Sequence, residues 1–317
     1  MTRPESWQCA GPGGLPVPLN VSWHLWPDCN LECTYCYATF RDIPRTLSAD
    51  EAIRVLDLFH AAGTEKVTFV GGEPMLCPHL DELIAHAKKI GLVTMLVTNG
   101  TRLVGERLRR IVPLLDWVSL SIDASTPELM AAMGRGNAAF WKHCVRCWKE
   151  LAEFPHLRLK INTVVTRQNL HDDMRPLIRE LAPARWKVFQ VLPVRGQNDG
   201  KVEPLLITPD EFAGYIARHR ELDAEGLGPV PEDNRALTGT YLMLDALGRL
   251  FSNKTGEHVY TDSVLDVGVW QAIEQVGWDV DGFLERGGIY SWKHDGIAAP
   301  ATELVEIRRR SVDGPDV

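Results

Sequence analysis

Six short runs rich in β-branched and aromatic residues, each followed by an amphipathic stretch, recur between Val21 and about Leu222, and this alternation restricts the fold more than any other feature. Strand and helix in repeated succession bury their apolar faces as a parallel sheet covered by helices. The predicted strands are Val21 to Trp26, Lys66 to Val70, Val93 to Val97, Trp117 to Ile122, Arg158 to Val164 and Trp186 to Val191. Helix starts are legible between them. Ser48 with Glu51 forms a capping box ahead of Ala52, Ile53, Leu56 and Phe59. Asn169 is placed to cap a helix whose Met174, Leu177, Ile178 and Leu181 face inward, and Thr208, Pro209 and Glu211 supply cap, first-turn proline and box partner for another. Six units are too few for a closed eightfold barrel, so the expected fold is α/β, an open partial (β/α)6 barrel over 21–222, with an N-terminal tail over 1–20.

Beyond about Leu222 the alternation stops. Gly228, Pro229 and Pro231 read as a loop, Tyr241 to Asp245 and Arg249 to Asn253 as a hairpin around Leu247 and Gly248, and Val264 to Val276 as a short helix. Residues 223–300 are thus expected to form an extension closing the substrate site, and 301–317 a flexible tail.

At the end of the first predicted strand stand Cys29, Cys33 and Cys36, in C-N-L-E-C-T-Y-C. Three thiolates on one tight loop can bind three irons of a 4Fe-4S cluster, leaving the fourth iron open to an exogenous ligand. Disulfides, structural zinc and buried thiols are the competing readings. Zinc usually takes four ligands as two separated pairs, and only Cys9, Cys77, Cys144 and Cys147 remain. Seven cysteines is an odd number for a disulfide framework, and Met1 to Asn20 lacks the apolar core of a signal peptide. A reducing, cytoplasmic compartment is expected. Cys144 and Cys147, three apart on a helix from Asn137 to Leu151, read as buried structural thiols, and Cys77 and His79 as loop residues.

With 45% apolar residues and a net charge of −8, the 317-residue chain reads as globular, without a broad nucleic-acid surface. No apolar run approaches the ~18 residues of a membrane span. A polyphosphate ligand would need a local basic pocket. Lys66, Lys160, Arg185 and Lys187 are candidates at or near strand ends, and Lys160 with Asn162, like Arg185 with Lys187, repeats on one strand face. The ordinary alternative for each lysine is solvation or an ion pair.

Gly71-Gly72-Glu73-Pro74 closes the second predicted strand, where glycine lets the backbone approach a ligand. Together with the three cysteines and the aromatic Tyr35, this stretch resembles the radical S-adenosylmethionine superfamily. The resemblance implies that S-adenosylmethionine, consumed as cosubstrate, chelates the open iron through its amino and carboxylate groups, with Gly71, Gly72 and Glu73 near the amino group. The second half of the chain is similar to the viperins: Arg158 to Val164, Arg185 to Gln190, Tyr241 to Asp245, Leu265 to Val269 and Phe283 to Gly288 occur in the same order.

The viperin resemblance implies conversion of a ribonucleoside triphosphate, CTP before UTP, to its 3'-deoxy-3',4'-didehydro form, in antiviral defence. The 4'-hydrogen is removed, the 3'-hydroxyl leaves as water, and one electron and one proton complete the product. By the same resemblance Ser121, Arg135 and Asn99 contact the cofactor, Lys66, Lys160, Asn162, Arg185 and Lys187 bind the triphosphate, and Tyr241 lies by the ribose as a hydrogen-bonding or proton-delivering group. An electron donor such as flavodoxin or ferredoxin is implied, and a monomer is the default expectation. The amphipathic helix of animal viperins is missing, Val70 replaces a small hydroxyl residue, and Asn253 to Glu257 is less basic than its counterpart. The alternatives are a radical enzyme acting on GTP or on a non-nucleotide substrate, disfavoured for peptide maturation because no cysteine follows Cys147, and an iron–sulfur scaffold protein.

Overall fold

The computed structural model describes residues 11–292. Strands β1 (Asn20–Trp26), β2 (Lys66–Gly71), β3 (Val93–Thr98), β4 (Trp117–Ser121), β5 (Arg158–Val165) and β6 (Arg185–Gln190) run parallel and in sequence order, within two residues of the predicted boundaries. Helices α1 (Ala49–Ala61), α2 (Leu80–Lys89), α3 (Gly105–Ile111), α4 (Pro127–Ala132), α5 (Ala138–Ala152), α6 (Arg175–Leu181) and α7 (Pro209–His219) connect them or follow β6. The partial barrel is therefore present. Along β1 and β2 the alternation of strand side chains separates two environments. Val21, Trp23, Leu25, Val67 and Phe69 enter the main apolar core, while Asn20, Ser22, His24, Lys66, Thr68 and Val70 line an internal cavity.

Local chemistry accounts for the helix ends. Ser48 and Glu51 make the reciprocal capping box of α1, Thr208 and Glu211 that of α7, and Asn137 caps α5 through Phe140 N. Asn169 departs from expectation. α6 starts at Arg175 after Met174, and Asn169 is instead fully buried, accepting from Thr166 N at 2.7 Å and donating to Asp123 O at 2.7 Å and Val164 O at 2.9 Å. It binds the ends of β4 and β5 together. A side chain with two donors and an acceptor satisfies a strand end as readily as a helix start, and sequence position does not distinguish the two.

The segment expected as a loop around Pro229 and Pro231 is a seventh parallel strand, β7 (Pro229–Glu232), paired with β6. It is the terminal strand on that side of the sheet, so its prolines withhold no N–H that an outer neighbour needs. After the short α8 (Asn234–Leu237), strand β8 (Met243–Leu244) joins β1 in parallel at the opposite side, and β9 (Arg249–Ser252) and β10 (Val259–Ser263) continue antiparallel. The resulting order is β10-β9-β8-β1-β2-β3-β4-β5-β6-β7. The expected hairpin is β8–β9, and the expected helix is α9 (Val264–Val276), interrupted at Gly268, followed by α10 (Val280–Glu285).

Residues 223–292 thus extend the sheet on both sides. Their last stretch crosses the starts of β4 and β5, where Trp117 Nε1 donates to Trp292 O at 3.0 Å and Arg158 Nη1 to Ser291 O at 2.7 Å. Residues 1–10, with Cys9, of the expected 1–20 tail, residues 293–300 of the expected extension and the whole expected 301–317 tail lie outside the described residues. No helix among the described residues is long and apolar enough to cross a membrane. Replacing Asn169 by Ala orphans buried backbone groups at two strand ends and is expected to lower stability by about 2–3 kcal/mol, read as a shift of the denaturant midpoint. No shift would mean that these hydrogen bonds are dispensable.

Candidate active site

The three cysteines leave the C-terminal end of β1 on a loop braced from below by the end of β2. Gly72 N donates to Trp26 O at 2.7 Å and Glu73 N to Asp28 O at 2.8 Å. A Cβ on Gly72 would lie 2.4 Å from Asp28 O and 2.5 Å from Pro27 O, so only glycine fits under the loop. All six described cysteines are free thiols, and Cys29, Cys33 and Cys36 line the internal cavity. Among the described residues no three His, Cys, Asp or Glu side chains are close enough to share one metal ion. Three cysteines on one loop can each serve a separate iron of a 4Fe-4S cluster. Burial pushes the Cys36 thiol up to about 11.

Glu73 is buried, and its carboxylate accepts from Met75 N at 3.0 Å, Thr98 Oγ1 at 2.6 Å and Asn99 N at 2.8 Å. It thereby ties the end of β2 to the end of β3. Asn99 continues the link, donating to Asn30 Oδ1 at 3.0 Å on the cysteine loop. Across the mouth, Tyr35 Oη donates to Asp123 Oδ2 at 2.6 Å and accepts from Arg135 Nε at 2.9 Å, and Arg135 is ion-paired with Asp123. Ser121 lines the same mouth. The only sequence signal for Asp123 is its place two residues beyond Ser121 in S-I-D. Cys144 and Cys147 lie behind this mouth on α5, buried, with burial pushing each up to about 12.

The basic residues occupy the other end. Lys66 is the first residue of β2 and lies about 17 Å of strand away from Gly71, at roughly 3.3 Å per residue. Its ammonium donates to Tyr290 Oη at 2.6 Å and faces the rings of Tyr290 and Trp292 at 4.6 and 5.4 Å. Lys160 and Lys187, the third residues of β5 and β6, enter the cavity, as does Asn162, whose Oδ1 is buried without a partner. Lys187 donates to Tyr241 Oη at 2.7 Å and pairs with Glu232. Arg185 is the exception. It opens β6 outside the cavity lining and lies 4.3 Å from the Tyr290 ring. The cations thus stand along the depth of the barrel instead of at the cysteine rim, because Lys66 and Lys160 are near the starts of their strands.

Glu232, Arg286 and Tyr290 complete this end, and no local sequence signal marks any of them. Glu232 adjoins prolines whose local signal is that of a loop, and Arg286 lies in Phe283 to Gly288, where its spacing alone carries no chemical signal. Four basic residues (Lys66, Lys160, Lys187 and Arg286) line this end of the cavity, and the buried carboxylate of Glu232 pairs with two of them, Lys187 and Arg286. Burial, reinforced by neighbouring positive charge, lowers Lys66 to about 7 and Lys160 well below its usual range. Burial likewise lowers Lys187 to about 7 against the pull of Glu232. The cavity of about 590 Å³ therefore joins a thiol-lined mouth to a floor where basic side chains outnumber carboxylates.

The radical SAM superfamily description matches residues 23–181. The chain is 40% identical over 285 residues to an S-adenosylmethionine-dependent nucleotide dehydratase of Flammeovirga pacifica, covering 86% of this chain and 96% of that one. It belongs to the radical SAM superfamily and, within it, to the viperin-type S-adenosylmethionine-dependent nucleotide dehydratases. A member from Danio rerio is 33% identical over 92% of this chain and 84% of its own. The fold of anSMEcpe with bound AdoMet superposes with a TM-score of 0.61 at 17% identity, over 81% of this chain and 77% of that structure. A radical SAM protein carries a 4Fe-4S cluster and uses S-adenosylmethionine, and the glycine cradle beneath Cys29 fits that requirement. Gly72→Ala is expected to displace the loop and prevent cluster assembly, read as loss of the cluster's visible absorbance and iron content after anaerobic reconstitution. Full iron loading would show that the close approach is not needed.

Proposed function

We propose that the protein dehydrates a ribonucleoside triphosphate, CTP before UTP, to the 3'-deoxy-3',4'-didehydro nucleotide, a chain terminator used in antiviral defence. One observation carries this reading: the cavity that opens among the three cysteines ends in buried cations short of counter-charge. A ligand with several negative charges at one end and a ribose a few ångströms from them fills both needs. The cluster and S-adenosylmethionine, bound through Cys29, Cys33 and Cys36 with Gly71, Gly72, Asn99, Ser121 and Arg135 around the cofactor, supply a hydrogen-abstracting radical and an electron. Glu73, with three hydrogen bonds inside the protein, acts mainly by holding the β2 and β3 ends in register around the cofactor.

Lys66, Lys160, Lys187 and Arg286 bind the triphosphate, and Arg185 supports them through Tyr290. Asn162 and Tyr241 face the ribose. Tyr241 Oη donates to Glu232 Oε2 and accepts from Lys187, so the lone pair left to it accepts from a ribose hydroxyl, and Lys187 can restore any proton that Tyr241 delivers. The lysines among these side chains are buried in the barrel, where the low local dielectric strengthens each contact. Cys29 is exposed, which supports reduction by an external flavodoxin- or ferredoxin-type donor, and the free cysteines support a cytoplasmic setting.

Anaerobic incubation with dithionite, S-adenosylmethionine and each NTP in turn tests the reading by mass spectrometry. A product lighter than its NTP by one water, with 5'-deoxyadenosine formed in step, is expected for CTP. 5'-Deoxyadenosine formation that ignores every NTP would overturn it in favour of another substrate, and a cluster-bearing protein with no turnover would point to a scaffold. The floor also predicts a pH dependence. Lys66 and Lys187 titrate near 7 without ligand, and bound phosphate stabilises their ammonium forms, raising both values. Binding therefore draws in protons and is strongest at and below neutral pH. KM for the NTP should climb as pH rises above 7, by at most about tenfold per pH unit for each lysine. A KM that stays flat above neutral pH would contradict phosphate contact by these lysines.

A further inference from the structure

Glu232 is the single carboxylate buried among the cations of the cavity floor within the described residues, yet it does not line the cavity. It projects from edge strand β7, behind the wall. Oε1 meets Lys187 Nζ and, at 3.1 Å, Arg286 Nη1, while Oε2 accepts from Tyr241 Oη. Three separate parts of the chain converge on it: β6, the segment before β8, and the end of α10. We infer that Glu232 is a positioning residue for the polyphosphate end of the substrate, holding Lys187 and Arg286 from behind in the arrangement that receives the ligand and supplying Lys187 with its counter-charge. This inference rests on the nucleotide reading above.

Donor geometry supports the assignment. The Lys187 ammonium has three N–H groups, of which one goes to Tyr241 and one to Glu232, leaving the third for the cavity. Arg286 spends Nη1 on Glu232, stacks at 3.6 Å on the Tyr241 ring, and keeps Nε buried without a partner. Both cations are thus fixed through one side and left with donors to spare. A carboxylate inside the cavity would compete with phosphate for those donors. Placed behind them, it orients the cations without blocking the ligand.

Charge gives the second argument. Besides Lys187, the groups acting on Glu232 or on its pair are Arg286, Lys160, Tyr241, and, farther off, Arg185, Tyr290 and Tyr37 of the cysteine loop. The cations among them favour a charged carboxylate, and the carboxylate in turn favours a charged Lys187 against its burial. Without Glu232, Lys187 would be neutral in the empty cavity and would have to acquire its proton when the nucleotide arrives.

Anaerobically reconstituted holoenzyme titrated calorimetrically with CTP, at neutral pH in two buffers of different ionisation enthalpy, counts the protons taken up on binding. Glu232→Gln, with normal cluster absorbance and thermal transition, should take up more protons than the wild type and raise KM for CTP roughly ten- to a hundredfold, with kcat little changed. Glu232→Asp keeps the charge and shortens the reach, so it should return the proton count to the wild-type value while KM stays elevated. A folded Glu232→Gln with the wild-type proton count and KM overturns the inference, since a residue that merely held the fold would leave both unmoved. If the glutamine variant does not fold, an unchanged KM in Glu232→Asp overturns it equally. A wild-type holoenzyme that binds neither CTP, UTP nor GTP defeats the nucleotide reading itself, which separates the two failures.

Discussion

Positive charge taken out of water inside the barrel is the constraint on which the rest of the architecture turns. Three lysines and an arginine around one cavity repel one another and lose hydration, and the single carboxylate Glu232 offsets only part of that cost. The protein meets the remainder with aromatic faces and hydroxyls: Tyr290, Trp117 and Trp292 around Lys66, and Tyr241 beneath Lys187 and Arg286. Every one of these groups except Trp117 comes from residues 223–292. The C-terminal extension therefore does more than lengthen the sheet. It provides the environment in which the lysines of β2, β5 and β6 can remain inside.

The opposite end of the same strands answers a different demand. There the backbone itself must come close, and Gly72 permits it by leaving no Cβ between the end of β2 and the loop carrying Cys29. Glu73 and Asn99 then lock the neighbouring strand ends to that loop, and the Tyr35–Asp123–Arg135 group closes the far side. Parallel strands of six or so residues hold the two ends a fixed distance apart. The cysteine-bearing mouth at one end and the basic floor at the other are thus kept in register by the sheet.

Much of this was legible in the chain before folding. Periodicity located six strands within two residues, capping boxes located α1 and α7, and the cysteine spacing with Gly71 and Gly72 identified the mouth, because each of these signals is local. In three places the structure departs from the local reading for a shared reason. Asn169 bears the signature of a helix cap but serves two strand ends. Pro229 and Pro231 mark a loop in most settings but are tolerated in β7 because its outer side is unpaired. Arg185 alternates with Lys187 yet lies outside the cavity lining, against Tyr290. In each case the assembled sheet and the surroundings it creates, not the local sequence, decide.

What the sequence determined by itself was the parallel α/β plan, the cysteine loop and the inventory of basic residues on strand faces, since periodicity, turn chemistry and spacing act over a few residues. The tertiary structure alone decided that the cations line the depth of the barrel, that Glu232 stands behind Lys187 and Arg286, and that Tyr241 is held between them. Those facts depend on how far a side chain lies from water and from other charges. Burial and charge pairing are properties of the assembled barrel, where residues from β2, β6, β7 and the C-terminal segment first meet.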